Sequence, residues 1–279
     1  MREQHPGLRF RLITNDFAAH VGRLLPDVEE VYAYRKFGTD AASEWRQLLQ
    51  ARRWRADRVI GLSPSLDRKL ALRTWVLGPA GSADFTGAPI HAVERLAWLF
   101  GWRPGVALPR ACLRLPEAQG AARDVAIWIS ARKPSNRPSP AQVIGIVREL
   151  RARRSGIAIG VFGLPERTDS GAHLPDAQAQ SELDAMLRTE GLRLATPPLE
   201  ALLGELAASA SLISPDGGMA HVAAGFGKPV VALFGDVDPR AWRPWSPRVQ
   251  VLQAPSCRVS DLDPAGTVNA WSELLARPV

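Results

Sequence analysis

The sequence predicts an α/β protein made of two Rossmann-like domains. Three observations carry that expectation. Short runs of β-forming residues alternate with amphipathic helical segments in two successive series. A proline-bearing stretch without a long period, residues 105–123, separates the series. Acidic and glycine residues cluster where a strand meets a helix, in Pro215-Asp216-Gly217-Gly218. Strands alternating with helices imply right-handed βαβ units and parallel sheets, and a link rich in breakers marks a boundary.

In the first series, residues 8–14 read as a strand and 16–25 as a helix capped by Asp16. Residues 28–34 form a second strand, and 41–54 an amphipathic helix with Trp45, Leu48, Leu49 and Trp54 near helical spacing. A strand at 56–62, a helix at 66–77 and a helix at 89–102 ended by Gly101 follow. In the second series the strands fall at 124–130, 157–163, 192–194, 211–214 and 229–235. The helices fall at 140–154, 177–190, 199–209, 218–226 and 265–276. Domain limits of 1–110 and 111–279 follow.

Composition narrows the function classes. The 279 residues are 46% hydrophobic and 23% charged, a globular balance. No window is apolar for the length of a spanning helix. The opening MREQHPGLRFRLIT lacks a basic region followed by an apolar one, so no signal peptide is expected. Cys112 and Cys257 have no paired spacing, which suggests neither a disulfide framework nor a thiolate metal site and points to a cytoplasmic setting. The net charge of +7 favours anionic partners, although an arginine-preferring genome explains the same excess. Nucleic acid is not expected as a partner, because the basic residues lack an interleaved aromatic platform. The nine tryptophans are assigned to packing, in helices or in the Trp242–Trp245 turn.

The candidate site lies in SPDGGMAHVAAGFGKPVVALFGDVDPRAW, residues 214–242. Ligands of open α/β sheets bind at the carboxyl ends of strands, beside helix N-termini. Gly217 and Gly218 allow close backbone approach and leave amide N–H groups at the positive end of the next helix, which suits a phosphate. Asp216 has two readings, a helix cap or a ligand-binding carboxylate. His221, on the first turns, either reaches the same ligand or packs.

The whole stretch resembles the C-terminal signature of glycosyltransferase family 9, the ADP-heptose:lipopolysaccharide heptosyltransferases. The matching residues are Asp216, Gly217, Gly218, His221, Ala223, Ala224, Gly227, Lys228, Pro229, Phe234, Gly235, Asp238, Pro239, Trp242 and Pro244. Gly217 departs from the pattern, which usually has a hydroxyl residue there. The loop SARKPSNRPSPAQV is similar to the family loop that faces the donor diphosphate. Pro140 matches its proline, Ser139 replaces its tryptophan, and Arg137 stands in place of its lysine, with Lys133 and Ser135 able to assist. By the same resemblance Glu166 is placed to bind the donor ribose and Pro197 to lie beside the base. Residues 2–34 look like a family run that follows a first strand, a Gly-Asp loop and a first helix.

The resemblance implies a GT-B type fold with an incomplete N-terminal domain, since the first strand and the Gly-Asp loop, whose aspartate is the family's expected base, are not found. An upstream start codon, a natural remnant, or replacement by another element would each explain this, and the first is favoured because MREQ reads as mid-helix. The catalytic residue is therefore unknown; Asp16, His20 and Asp67 have no motif behind them. The implied activity is inverting, metal-independent and cofactor-free transfer of a heptose or related sugar. The donor is an ADP-sugar, and the acceptor a lipopolysaccharide core or similar anionic glycan or glycolipid, with peripheral contact at the inner membrane. The alternative is a non-catalytic nucleotide-sugar-binding remnant. The donor-binding set is Lys133, Ser135, Arg137, Glu166, Asp216, Gly217, Gly218 and His221.

Overall fold

The computed structural model describes residues 7, 9–34, 55, 59–60, 80–81, 90–98, 101–118, 120–164 and 177–278. The chain divides into two compact units, Met1–Leu108 and Pro109–Val279.

The first unit opens with a βαβ unit. Strand β1 (Phe10–Asn15) runs directly into helix α1 (Asp16–Gly22), and β2 (Val28–Tyr34) returns parallel to β1. A Cβ on Gly22 would stand 2.8 Å from the Leu12 side chain, so the glycine lets α1 end close against the strand. A second parallel pair joins β3 (Val59–Ile60) to β4 (Ala80–Gly81). Helix α2 (Ala92–Trp98) follows, with the buried His91 Nδ1 accepting from the Val93 N–H at 3.2 Å. That histidine thus meets one of the helix's unpaired amides. The helices expected at 41–54 and 66–77 lie outside the described residues, and the strand expected at 56–62 is described only at 59–60.

The second unit is built on six parallel strands in the order β10-β9-β8-β5-β6-β7. In chain order they are β5 (Val125–Trp128), β6 (Ile159–Phe162), β7 (Leu194–Ala195), β8 (Leu212–Pro215), β9 (Val230–Phe234) and β10 (Val249–Gln253). The connecting helices are α3 (Pro140–Arg153), α4 (Ala177–Thr189), α5 (Leu199–Ala208), α6 (Gly218–Gly225), the single turn α7 (Pro239–Trp242) and the closing α8 (Pro264–Ala276). The chain enters at β5, moves outward through β6 to β7, then crosses back to place β8 on the other side of β5. The strand order therefore reverses between β5 and β8.

Both faces of this sheet are covered, which is why β5, β6, β8 and β9 are buried at every position. Val125, Ile127, Val161, Ile213, Val231 and Leu233 join one core with Val143, Val147 and Leu150 of α3, Leu183 and Leu187 of α4, and Trp271 and Leu274 of α8. A polar chain threads this core: the Trp271 indole donates to Ser211 Oγ at 2.9 Å, and Ser211 donates to the Asp124 carbonyl at 2.7 Å. Two strand expectations need correction. The third strand of this series lies at Leu194–Ala195 rather than 192–194, and β10 was not anticipated. β10 is an edge strand reading Val-Gln-Val-Leu-Gln, only partly buried, so its apolar signal is weak.

Candidate functional site

The strand order reverses between β5 and β8, and sheets of this kind take ligands outside the carboxyl ends of the strands at such a reversal. The loop leaving β5 is stiff. Ser130 Oγ accepts from the Leu164 N–H at 2.9 Å, and Pro134–Asn136 make one turn of 3-10 helix. Arg137 folds back on the loop, donating from Nε to the Ala131 carbonyl at 2.9 Å and from Nη2 to the Arg132 carbonyl at 3.4 Å. Ser139 then caps α3, its Oγ accepting from the Gln142 N–H at 3.2 Å with Pro140 at the first helical position.

Asn136 ties this loop to two strand ends. It is 3% exposed. Its Oδ1 accepts from the Gly235 N–H at 2.9 Å, after β9, and its Nδ2 donates to Asp216 Oδ2 at 3.2 Å, after β8. A Cβ on Gly235 would collide with Asn136 Oδ1 and stand 2.6 Å from the Ser135 carbonyl oxygen. Glycine at 235 is thus what lets β9 and the loop meet. Sequence reasoning placed Gly235 in a motif but missed Asn136, whose partners lie 80 and 99 residues away.

Asp216 does not cap the following helix. The N-cap of α6 is Gly217, which makes no side-chain cap bond. Gly217 holds φ 157° and ψ −178°, a region that is essentially glycine's alone. This explains the departure from a hydroxyl residue at that position: a side chain there would strain the turn. The Ala220 N–H donates to the Gly217 carbonyl at 3.2 Å, and Asp216 stands beside the Gly218 and Met219 amides that open the helix. Burial pushes the Asp216 carboxyl above its ordinary range, and the Asp236 charge adds to this, while the Asn136 amide and the Lys133 and Arg132 charges pull it down.

Lys133 and Ser135 meet a second carboxylate. The Lys133 ammonium lies 3.1 Å from Asp236 Oδ2, and the Ser135 hydroxyl donates to Asp236 Oδ1 at 2.8 Å. These two bonds hold the Asp236 carboxyl below its ordinary range. Gln253 of β10 fixes the turn bearing Asp236, donating to the Gly235 carbonyl at 2.7 Å and the Val237 carbonyl at 3.2 Å. Lys133, Ser135, Asn136, Asp216, Gly217 and Asp236 therefore converge at the strand ends.

The remaining expected residues are placed differently. His221 lies on the exposed side of α6, whose other face buries Met219, Ala220, Val222, Ala223 and Ala224. Glu166 lies outside the described residues. Lys228 of the Gly-Lys-Pro element donates to the Ala207 carbonyl at 2.8 Å, closing the C-terminus of α5, and burial lowers its pKa. Trp245 donates to the Pro109 carbonyl at 3.2 Å, but Trp242 is 53% exposed, so packing does not account for it.

Comparison with known proteins bears on the fold. Residues 154–263 match the sequence model of glycosyltransferase family 9 (heptosyltransferase). No curated protein matches the chain. Among solved structures, the ADP-heptose LPS heptosyltransferase II of E. coli superposes with a TM-score of 0.71 at 18% identity, covering 98% of this chain and 91% of that one. A family 9 glycosyltransferase from Veillonella parvula gives 0.74 at 16% identity, covering 98% and 90%. The E. coli heptosyltransferase WaaC with ADP gives 0.70 at 18% identity, covering 98% and 92%. The fold is thus the α/β, GT-B type of those structures. Among the described residues no helix is long and apolar enough to cross a membrane.

Proposed function

We propose that the chain is a glycosyltransferase that takes an ADP-sugar donor on its C-terminal unit. It transfers a heptose or related sugar to a lipopolysaccharide core or similar anionic glycan, with inversion and without a metal. The observation that carries this reading is the convergence of Lys133, Ser135, Asp216 and the amides of Gly217–Gly218 at the β5/β8 reversal. WaaC, of the same fold, is known with ADP and with ADP-2-deoxy-2-fluoro heptose.

In the reaction the acceptor oxygen bonds to the anomeric carbon, the bond from that carbon to the diphosphate oxygen breaks, and the acceptor's proton passes to a base. Charge builds on the leaving diphosphate. Lys133 supplies a cation for it and the α6 N-terminus supplies aligned N–H donors, fixed before the charge develops. Arg137 keeps the loop in shape through the Ala131 and Arg132 carbonyls. Asp216, desolvated and anchored by Asn136, borders the diphosphate and the sugar. The net charge of +7 suits an anionic acceptor and a cytoplasmic position against the inner membrane.

Turnover tests this directly. ADP release from ADP-heptose in the presence of a truncated lipopolysaccharide core, with the product linkage read by NMR, is expected to show transfer with inversion at the anomeric carbon. Lys133→Ala is expected to lower kcat/KM about 100-fold or more, the scale for losing one leaving-group stabiliser. Tight ADP binding without transfer to any core acceptor would leave a nucleotide-sugar-binding protein in place of an enzyme.

A further inference from the structure

The donor set gathered on Asp236 is that of a phosphate site. One ammonium, from Lys133, and one hydroxyl, from Ser135, each donate to a separate oxygen of a single anion, at 3.1 and 2.8 Å. We infer that the Asp236 carboxylate is an internal stand-in for a donor phosphate group, occupying Lys133 and Ser135 until a diphosphate displaces it. This rests on the donor site proposed above and goes further, making Asp236 a residue that sets the affinity of that site for diphosphates.

The surroundings favour an exchange of side chains over movement of the backbone. The turn carrying Asp236 is held on both flanks, by Asn136 on the Gly235 N–H and by Gln253 on the Gly235 and Val237 carbonyls. The carboxylate and the ammonium are themselves 47% and 43% exposed. Rotation of the Asp236 side chain toward solvent therefore releases Lys133 and Ser135 without disturbing the clasp. An exposed pair of this kind is weak, so a diphosphate with more charge and more acceptor oxygens competes with it successfully. After displacement the carboxylate remains beside the bound phosphate and repels it. Both effects, the internal competitor and the residual repulsion, lower affinity, and removing the charge at position 236 relieves both.

The test is calorimetric titration of the full chain with ADP and with inorganic pyrophosphate. The proteins are the wild type, Asp236→Asn, Lys133→Ala, and the double variant Lys133→Ala/Asp236→Asn. Asp236→Asn is expected to bind ADP about 2- to 5-fold more tightly, the range available from one exposed charge pair. Against the Lys133→Ala background the same substitution is expected to give a smaller gain, because the contact it competes for is gone. Unchanged or weaker ADP binding by Asp236→Asn, with the wild type binding ADP, would overturn the inference and give Asp236 the role of positioning Lys133. If neither wild type nor Asp236→Asn binds any nucleotide or pyrophosphate, the donor-site reading falls and takes this inference with it. Thermal melting of each variant controls for folding, and the exposed Asp236→Asn change is expected to leave it near the wild-type value.

Discussion

At the scale of single residues, Asp216 and Asn136 carry the site. Burial raises the Asp216 carboxyl's pKa, so the folded protein holds that proton more tightly than the unfolded chain. Stability from this group is present below its unfolded pKa and is lost as pH rises through the folded one. At neutral pH the ionised carboxylate is thus a net burden on the fold. Asp216→Asn is expected to raise the melting temperature at pH 7 and to remove the fall that this group contributes as pH rises through its raised pKa, while weakening ADP binding. A lower melting temperature at pH 7 would contradict the desolvation account. Asn136→Ala leaves the buried Gly235 N–H without its acceptor, a loss of about 1–3 kcal/mol that chemical denaturation would read. Asp216 was legible as a cap or a ligand-binding carboxylate, whereas Asn136 was not legible. Asn136 sits in a Pro-Ser loop and acts on residues distant in the chain, so no local pattern announces it. Gly217 was legible as a glycine suited to close approach, but its φ of 157° supplies the reason a hydroxyl residue is absent.

At the scale of elements, the central strands were legible because β5, β6, β8 and β9 are short, apolar and fully buried, and β5, β6 and β8 are each followed by a helix that buries apolar residues. β10 was not, because an edge strand needs only one apolar face and its Val-Gln alternation is brief. The Gly-Lys-Pro element separates structural from binding roles. Lys228 closes α5 through the Ala207 carbonyl and lies away from the Lys133–Asp236 pair. Lys228→Ala is expected to cost about 0.5–1.5 kcal/mol of stability and to leave ADP affinity unchanged. A large loss of affinity would return that lysine to the site. Ser139→Ala removes the α3 cap, at about 1 kcal/mol, and the expected effect on ADP is indirect, through the loop that α3 anchors.

At the scale of the whole molecule, alternating strands and helices were enough to indicate an α/β fold of two units. The strand order was not readable from the sequence, since which side of β5 receives β8 is decided by packing on both faces of the sheet. That order creates the reversal, and with it the functional reading. The net charge of +7 and the exposed Lys133 make the attraction of a diphosphate open to screening, so ADP affinity is expected to fall as ionic strength rises through the physiological range.

The measurement that bears most directly on the central claim is nucleotide binding by calorimetry on the full chain, with ADP against UDP and GDP, in wild type and Lys133→Ala. Saturable binding that prefers ADP and weakens at least tenfold in the variant is the predicted result. Equal binding of all three nucleotides, or an affinity indifferent to Lys133, would contradict a donor site at the β5/β8 reversal.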